Sequence, residues 1–352
     1  MDYRYLGRTG IRVSPLCLGT MMFGGRTTPE DSYAIIDHAI DAGVNFLDTA
    51  NVYVNGRSEE VVGEALRLNG HRDRIVLATK CHGNMHKAGD DASETQKLHA
   101  RLNPNQWGNS RRQIVEQIDE SLRRLQTDWI DLYQIHRPHP DCAIDETLRA
   151  FDDVIKAGKV NYIGCSTFAA WQLVESLWTS ERLRLNRFVT EQPPYHLLDR
   201  RIERELIPAC QTFGLGIIPW SPLAGGFLTG KYQRPDTDEA GKEGGRYSDG
   251  NHGRSSMLHN TAAFNAVDAL QKIADDKGCS LSHLALAWCR DQPGVTSPIV
   301  GPRTMEQWQD NLASMDVTLT DEDHQRIDQI VPPGTHVVDF YQAKFGPHPH
   351  RL

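Results

Sequence analysis

Short apolar runs of β type alternate along most of the chain with longer segments whose apolar residues recur at helical spacing. The chain starts with a hairpin-like stretch, in which Tyr3–Leu6 and Val13–Leu18 flank a turn at Gly7–Gly10. Strands are predicted at Pro15–Gly19, Val44–Thr49, Ile75–Lys80, Ile130–His136, Val160–Cys165, Arg187–Gln192, Leu215–Pro219 and Ser297–Gly301. Helices are predicted between Pro29 and Gly43 and at Ser58–Leu68, Ser110–Leu125, Ile144–Ala157, Ala169–Thr179, Ile202–Phe213, Thr261–Lys277, Ser282–Asp291 and Met305–Met315.

Eight strands that alternate with helices have one simple closed arrangement, a parallel barrel surrounded by its helices. The pattern therefore predicts an α/β fold, a (β/α)8 TIM barrel with an N-terminal β-hairpin and long βα loops. The loops at His82–Asn109 and Tyr232–Asn260 are polar and rich in glycine, and loops of that length are usually functional. We expect them to form lids or substrate walls. Residues 1–331 are predicted to form a single domain, followed by an extended tail at 332–352.

Composition excludes several classes of function. The 352 residues carry a net charge of -8, and the lysines and arginines are scattered, which argues against a nucleic-acid surface. No apolar run is long enough to span a bilayer, and the N-terminal stretch has no signal-peptide core. The seven cysteines form an odd, dispersed set without a C-x-x-C pair, which is typical of reduced cysteines in a cytoplasmic protein.

Four polar residues follow β-type runs at the points where those runs end: Asp48, Tyr53, Lys80 and His136. In a parallel barrel these strand ends meet on one rim, and that rim carries the chemistry. The pKa of an unperturbed tyrosine is near 10, and a neighbouring ammonium group stabilises its phenolate. The four side chains could therefore form a proton donor tuned to a developing alkoxide, with a histidine to orient a carbonyl oxygen. Such a set lacks a nucleophile and a hydride source of its own.

Each of these residues taken alone would more often be an ordinary strand-end charge, turn residue or loop aromatic. Taken together at these spacings, the catalytic interpretation is favoured. A metal site is not expected, because the spacing of His82 and His86 is interrupted by Gly83-Asn84 and no further ligand completes a set. The segment that begins at Gly214 resembles the start of a dinucleotide fingerprint but lacks its third glycine, so we interpret it as a turn.

Several longer strings point to a known family. They are Leu6–Thr20, Phe46–Tyr53, Leu77–Lys80, Asp131–Pro138, Gly158–Ser166, the W-S-P-L segment Trp220–Leu223, and the stretch from Gly301 to Asn311. In this order and spacing they resemble the aldo-keto reductases over nearly the whole chain. The resemblance implies a carbonyl reductase that uses NADPH/NADP+ and acts on a small aldehyde, ketone or alcohol. The composition already argues against nucleic acid or a membrane as a partner. Tyr53 would be the general acid/base, Lys80 and Asp48 would tune it, and His136 would orient the substrate.

The resemblance also implies a set of cofactor-binding positions. Ser166, Thr167 and Gln192 would hold the nicotinamide carboxamide, and Trp220 would stack on the nicotinamide ring. Arg303, Gln307 and Asn311 would bind the adenosine 2′-phosphate and the adenine, which favours NADPH over NADH. The other implied cofactor contacts are Gly19, Thr20, Met21, Asp48, Ser221, Pro222, Leu223, Gly225, Lys231, Arg246 and Gly301. The substrate walls are predicted at Phe23 and Trp107, beside Tyr53 and His136.

One position departs from the family pattern. The family usually has Ser-Asn after the fifth strand, whereas this chain has Ser166-Thr167, and threonine cannot make both hydrogen bonds of an amide. An alternative function is an NADPH-binding regulatory subunit with little turnover, like the β subunits of potassium channels, which share the W-S-P-L segment. The presence of His136 favours the enzyme. The sequence leaves open the substrate, the physiological direction and whether the chain forms a homo-oligomer.

Overall fold

The structure is a computed structural model that describes residues 1–85, 105–232, 234 and 256–341. Its strands are β1 Arg4–Tyr5, β2 Arg12–Val13, β3 Cys17–Gly19, β4 Phe46–Asp48, β5 Val76–Cys81, β6 Ile130–Ile135, β7 Val160–Ser166, β8 Phe188–Gln192, β9 Gly216–Ile217 and β10 Ile299–Val300. Its α-helices are α1 Pro29–Asp41, α2 Arg57–Asn69, α3 Arg111–Leu125, α4 Ile144–Lys156, α5 Ala170–Leu183, α6 Leu206–Phe213, α7 Thr261–Lys277, α8 Leu281–Asp291, α9 Met305–Ala313 and α10 Asp321–Ile330.

Strands β3 to β10 form one parallel sheet in the order β10-β3-β4-β5-β6-β7-β8-β9. The two outermost strands also meet through the backbone, since the N–H of Thr296 donates to the carbonyl of Ile217 at 2.7 Å and that of Ile299 to Pro219 at 2.8 Å. The sheet therefore closes into the predicted TIM barrel, with the helices on its outside. Because all eight strands are parallel, their carboxyl ends share one rim.

Alternation along three neighbouring strands produces two layers inside the barrel. Phe46, Ala78 and Leu132 belong to the apolar cluster of the interior. Two residues further along the same strands come Asp48, Lys80 and Gln134, all buried. Successive side chains in a strand point to opposite faces, so a step of two residues stays inside the barrel and moves towards the rim. The apolar layer therefore lies directly beneath a layer of polar side chains.

The N-terminal hairpin closes the opposite end of the barrel. Leu6 and Val13 are fully buried and belong to the apolar cluster of the barrel interior. Gly7 has φ +59, and a Cβ there would lie 2.5 Å from the carbonyl oxygen of Val189, so this turn requires glycine. Arg4 Nη1 donates to the carbonyl of Arg290 at 2.7 Å. The hairpin thus packs against the amino-terminal ends of the strands.

Helix boundaries follow capping residues that the sequence shows. Thr28, Ser110, Asn260 and Ser280 each accept a hydrogen bond from the backbone N–H three residues ahead, and so begin α1, α3, α7 and α8. Helix α6 begins at Leu206 rather than at the predicted Ile202. The ring of Pro208 would clash with the carbonyl of Arg204 in a continuous helix, so a short 3₁₀ turn, Arg201–Glu203, comes first.

Helix α10 was not predicted from the sequence. Thr320 accepts from the N–H of Asp323, and the Asp323 carboxylate accepts from the N–H of Thr320, which makes a capping box. Of the predicted tail, the structure describes 332–341. The Val337 N–H donates to the Leu198 carbonyl at 2.9 Å, and Phe340 is buried. None of the helices in the described ranges is long and apolar enough to cross a membrane. All seven cysteines are free thiols, and six are buried.

Candidate active site

A buried ion pair lies at the floor of the barrel mouth. Lys80 Nζ donates to Asp48 Oδ1, to the carbonyl of Thr49 at 2.8 Å and to the hydroxyl of Tyr53 at 3.2 Å. The Lys80 side chain has no exposed surface, and Asp48 is only 2% exposed. Burial lowers the pKa of Lys80, but the charge of Asp48 and the contact with Tyr53 outweigh it, so the pKa lies above its ordinary value. The ammonium group therefore stays charged beside the phenol.

Two amide side chains complete the surroundings of Asp48. Its Oδ2 accepts from Gln192 Nε2 at 2.9 Å and from Gln134 Nε2 at 3.2 Å. Gln192 also donates to Gln134 Oε1 at 3.4 Å. Asp48 thus has a donor on each oxygen, which compensates for the burial of its charge.

Tyr53 begins a 3₁₀ turn, Tyr53–Gly56, directly after the loop that follows β4. Val54 and Asn55 in this turn have φ of 47° and 53°, in the left-handed region. A β-branched residue is rarely found there, and the conformation costs roughly 1–2 kcal/mol. Backbone strain of this kind accumulates at functional sites. Here it accompanies the turn that brings the Tyr53 hydroxyl within reach of Lys80.

His136 stands beside the phenol, with its ring centre 5.8 Å from that of Tyr53 and the planes at 83°. Burial, and after it the positive charges of Lys80 and Arg137, hold the pKa of His136 well below its ordinary value. The imidazole is therefore neutral at physiological pH, with one N–H donor and one acceptor nitrogen.

A cavity of about 730 Å³ opens above these residues. Ligand and cofactor sites measure roughly 300–1,000 Å³. The described lining residues are Gly19, Thr20, Met21, Met22, Asp48, Tyr53, His136, Arg137, Ser166, Gln192, Trp220, Ser221, Pro222, Leu223, Gly225, Gly226, Thr229, Lys231, Ser282, Ile299, Val300, Gly301, Pro302, Arg303, Gln307, Asp310 and Asn311. Lys80 lies beneath this lining.

Two cationic side chains lie close together at one end of the cavity. Lys231 and Arg303 both line it, and they are close enough for each to influence the other. Burial, and then the charge of Arg303, lower the pKa of Lys231. Like charges near each other are unfavourable unless an anion lies between them. This end is suited to a phosphate group.

The comparison with protein families decides the classification. The model of the Aldo/keto reductase family matches residues 15–332. The chain belongs to this family. It is 37% identical to an uncharacterized oxidoreductase, YrpG, of Bacillus subtilis, over 97% of this chain and 99% of that protein. A versiconal hemiacetal acetate reductase of Aspergillus parasiticus is 35% identical, over 96% of this chain and 99% of that protein.

A further relative has a different kind of name. A probable voltage-gated potassium channel subunit beta of Oryza sativa subsp. japonica is 37% identical, over 94% of this chain and 97% of that protein. The family match and the similarity to an oxidoreductase nevertheless make the chain an oxidoreductase of the aldo/keto reductase type. The family assignment made from the sequence is confirmed.

Most of the positions predicted from the sequence come together in this aldo/keto reductase. All of the predicted cofactor positions line the cavity except Thr167 and Arg246. Arg246 lies outside the described residues. Thr167 is buried behind the wall, with φ +59. Its Oγ1 donates to the carbonyl of Ser166 at 2.7 Å.

The two predicted substrate walls lie elsewhere. Phe23 has no exposed surface and belongs to the main core, so the structure does not bring it to the cavity wall where it was predicted. The chain folds back here, with the Phe23 N–H donating to the Thr20 carbonyl at 2.9 Å, and the ring packs inward. Trp107 is 44% exposed and contacts His82 and His139 at ring-centre distances of 5.7 and 4.7 Å. It therefore lies beside the cavity rather than in its lining.

Five residues with polar side chains at the site were not predicted, namely Gln134, Arg137, Thr229, Ser282 and Asp310. Gln134 binds Asp48, Arg137 lines the cavity next to His136, and Asp310 lines it beside Asn311. The period of two along β6 gave a signal for Gln134, because it lies two residues before His136. Asp310 is one helical turn after Gln307, and its Oδ1 lies 2.8 Å from His283 Nε2.

Proposed function

We propose that the chain is an NADPH-dependent carbonyl reductase that also runs in reverse as an NADP+-dependent alcohol dehydrogenase. The observation that carries this proposal is the buried Lys80 ammonium, which joins the Asp48 carboxylate to the Tyr53 hydroxyl at the floor of the cavity. A buried cation beside a phenol is suited to hold and release the phenolic proton.

The protein residues would act as follows. His136 donates a hydrogen bond to the carbonyl oxygen of the substrate and orients it. NADPH, when bound, supplies a hydride to the carbonyl carbon. Tyr53 transfers its hydroxyl proton to the oxygen, so that the carbonyl becomes an alcohol. Lys80 stabilises the phenolate that remains until a proton from solvent restores it, and Asp48 keeps the ammonium charged and in place.

The residues that line the cavity fit this cofactor. Trp220 offers an aromatic face near the catalytic end, and Ser166 and Gln192 lie on neighbouring strand ends. At the other end Lys231 and Arg303 form the cationic surface that a 2′-phosphate requires.

The test is a screen of aldehydes, ketones and secondary alcohols of graded size, with NADPH or NADP+ as the second substrate. Tyr53→Phe removes one hydroxyl and keeps the ring. We expect kcat to fall by about 10²–10⁴-fold while the Kd for NADPH stays within about twofold, because the hydroxyl contacts the substrate rather than the cofactor. Full activity of Tyr53→Phe would refute the assigned proton donor.

The similarity to a potassium-channel subunit motivates a second candidate, an NADPH-binding regulatory subunit with little turnover. The same screen separates the two. Tight NADPH binding with no carbonyl-dependent oxidation of NADPH in any member of the screen would favour the regulatory role. The neutral His136 beside Tyr53 favours the enzyme, because a subunit without catalysis has no use for that donor.

A further inference from the structure

The proposed carboxamide site contains an imbalance between hydrogen-bond donors and acceptors. An amide group needs acceptors for its N–H groups and a donor for its carbonyl oxygen. Ser166 Oγ already donates to the carbonyl of Gln192 at 2.7 Å. Both N–H groups of Gln192 are also used, on Asp48 Oδ2 at 2.9 Å and on Gln134 Oε1 at 3.4 Å. Each of these two side chains can therefore accept from a ligand but has no hydrogen left to donate.

The third predicted residue does not correct the imbalance. Thr167 donates its only side-chain hydrogen to the carbonyl of Ser166 and is turned away from the cavity. The backbone offers no donor either, since the Thr167 N–H donates to the Gln192 carbonyl at 3.3 Å and the Phe168 N–H to Glu191 Oε1 at 3.1 Å. The Ser166–Thr167 turn is thus a surface of acceptors.

Arg137 is the donor-rich side chain next to this turn. Its Nη1 donates to the carbonyl of His136 at 3.0 Å and to Thr167 Oγ1 at 3.4 Å. The guanidinium carbon lies 5.7 Å from the ring centre of Trp220 and 5.1 Å from that of Tyr341. A guanidinium group has five N–H donors. Those on Nε and Nη2 have no acceptor among the residues that the structure describes.

We propose that Arg137 donates a hydrogen bond to the carboxamide oxygen of the nicotinamide and so replaces the asparagine side chain that Thr167 lacks. This inference rests on the proposed function, because it places the nicotinamide between Trp220 and the Ser166–Thr167 turn. Ser166 and Gln192 then accept from the carboxamide N–H groups, and every donor of the amide meets an acceptor. Because Arg137 contacts Thr167, its guanidinium group lies where it can take the place of the missing amide. All hydrogen bonds of the carboxamide can therefore form although residue 167 is small.

The test measures binding rather than turnover. NADP+ and 2′-phospho-ADP-ribose, which lacks the nicotinamide, are titrated calorimetrically into the full chain and into Arg137→Met, which keeps an apolar stem. We expect Arg137→Met to weaken NADP+ by about tenfold or more and 2′-phospho-ADP-ribose by less than about twofold, since only NADP+ carries the carboxamide. Equal loss for both probes, or no loss for NADP+, would overturn the assignment.

A double substitution gives a second, independent readout. Thr167→Asn restores an amide at 167, so Arg137→Met in that background should cost NADP+ binding less than about threefold. The full tenfold cost in both backgrounds would show that Arg137 acts through something other than the carboxamide.

The 3-acetylpyridine analogue of NADP+ keeps the carbonyl oxygen and should lose as much affinity as NADP+ does. An analogue insensitive to Arg137→Met would also overturn the inference.

Binding of 2′-phospho-ADP-ribose reports that a variant is folded. If Arg137→Met does not fold, it is replaced by Arg137→Gln, which keeps two amide donors but loses the charge. The affinity of this variant for NADP+ should again fall by more than its affinity for 2′-phospho-ADP-ribose. If neither probe binds the unaltered chain, the proposed function fails. If both probes bind and Arg137 has no effect, only the present inference fails.

Discussion

The ion pair between Lys80 and Asp48 allows a quantitative test of the site. Lys80→Met removes the ammonium and leaves a carboxylate that is 2% exposed with only the neutral amides of Gln134 and Gln192. Asp48→Asn leaves a fully buried ammonium with the Thr49 carbonyl and the Tyr53 hydroxyl. Removing one partner of a buried pair typically costs about 3–5 kcal/mol, because an uncompensated charge remains. We therefore expect each single variant to lose that much stability.

The double variant contains neither charge. It should be less destabilised than the sum of the single variants by about 2–3 kcal/mol, which is the coupling energy of the pair. The assay is urea-induced unfolding followed by tryptophan fluorescence, with the free energy of unfolding of the four proteins compared at one pH. The matched control is the exposed pair of Arg111 and Asp153, whose side chains are 55% and 44% exposed. Its coupling energy in the same cycle should lie below about 1 kcal/mol.

A coupling energy for Lys80 and Asp48 as small as that of the exposed pair would refute the reasoning. It would mean that water reaches the ammonium group in solution, and the tuning of Tyr53 by a dry cation would then lose its basis.

Three further predictions concern single positions. Arg303→Met should weaken NADPH by about tenfold or more and leave the Kd for NADH unchanged within about twofold; an equal effect on both would contradict the role of Arg303. Burial raises the pKa of Glu191 to about 7, so the native state binds a proton that the unfolded chain releases, and stability falls as pH rises from about 4.5 to 7. Glu191→Gln cannot bind this proton, so its free energy of unfolding relative to that of the unaltered chain should rise from about pH 4.5 to 7. The exposed control Glu181→Gln should show no such trend in urea unfolding. Val54→Asn should stabilise the protein by about 1 kcal/mol, because asparagine tolerates the left-handed region. The control Val115→Asn, on an exposed helical face, should not stabilise it. Equal effects of the two substitutions would contradict the presence of backbone strain at Val54.

Much of the fold could be predicted because local signals and the barrel agree. The strand that ends at Lys80 shows β-type residues, and the helix that starts at Pro29 shows a cap and a proline in its first turn. The start of α6 could have been predicted from Pro208, because its ring would clash with the carbonyl of Arg204 if the helix began earlier. Helix α10 was missed although Thr320 and Asp323 have the spacing of a capping box. In both cases the residues that determine where the helix begins are visible in the sequence.

The site could be predicted only in part, because several of its features depend on pairs of residues far apart in sequence. Gln192 and Asp48 are 144 positions apart, and nothing local indicates that an amide will meet that carboxylate. The left-handed conformation of Val54 contradicts the local preference of valine and is imposed by its surroundings. Phe23 follows a strand end, as the substrate walls of a barrel do, yet its ring packs inward into the core.

The hairpin beneath the barrel determines how the protein can be attached to a surface. Met1 is 46% exposed, and the hairpin that follows it packs at the end of the barrel opposite the cavity. A biosensor chip linked to the amino terminus would therefore present the cavity mouth to the flowing ligand. The last described residue, Tyr341, lies at the cavity, with its ring 5.4 Å from that of Trp220 in the cavity wall. For an immobilised reactor or a fused reporter domain, attachment through the amino terminus therefore leaves the cavity mouth open.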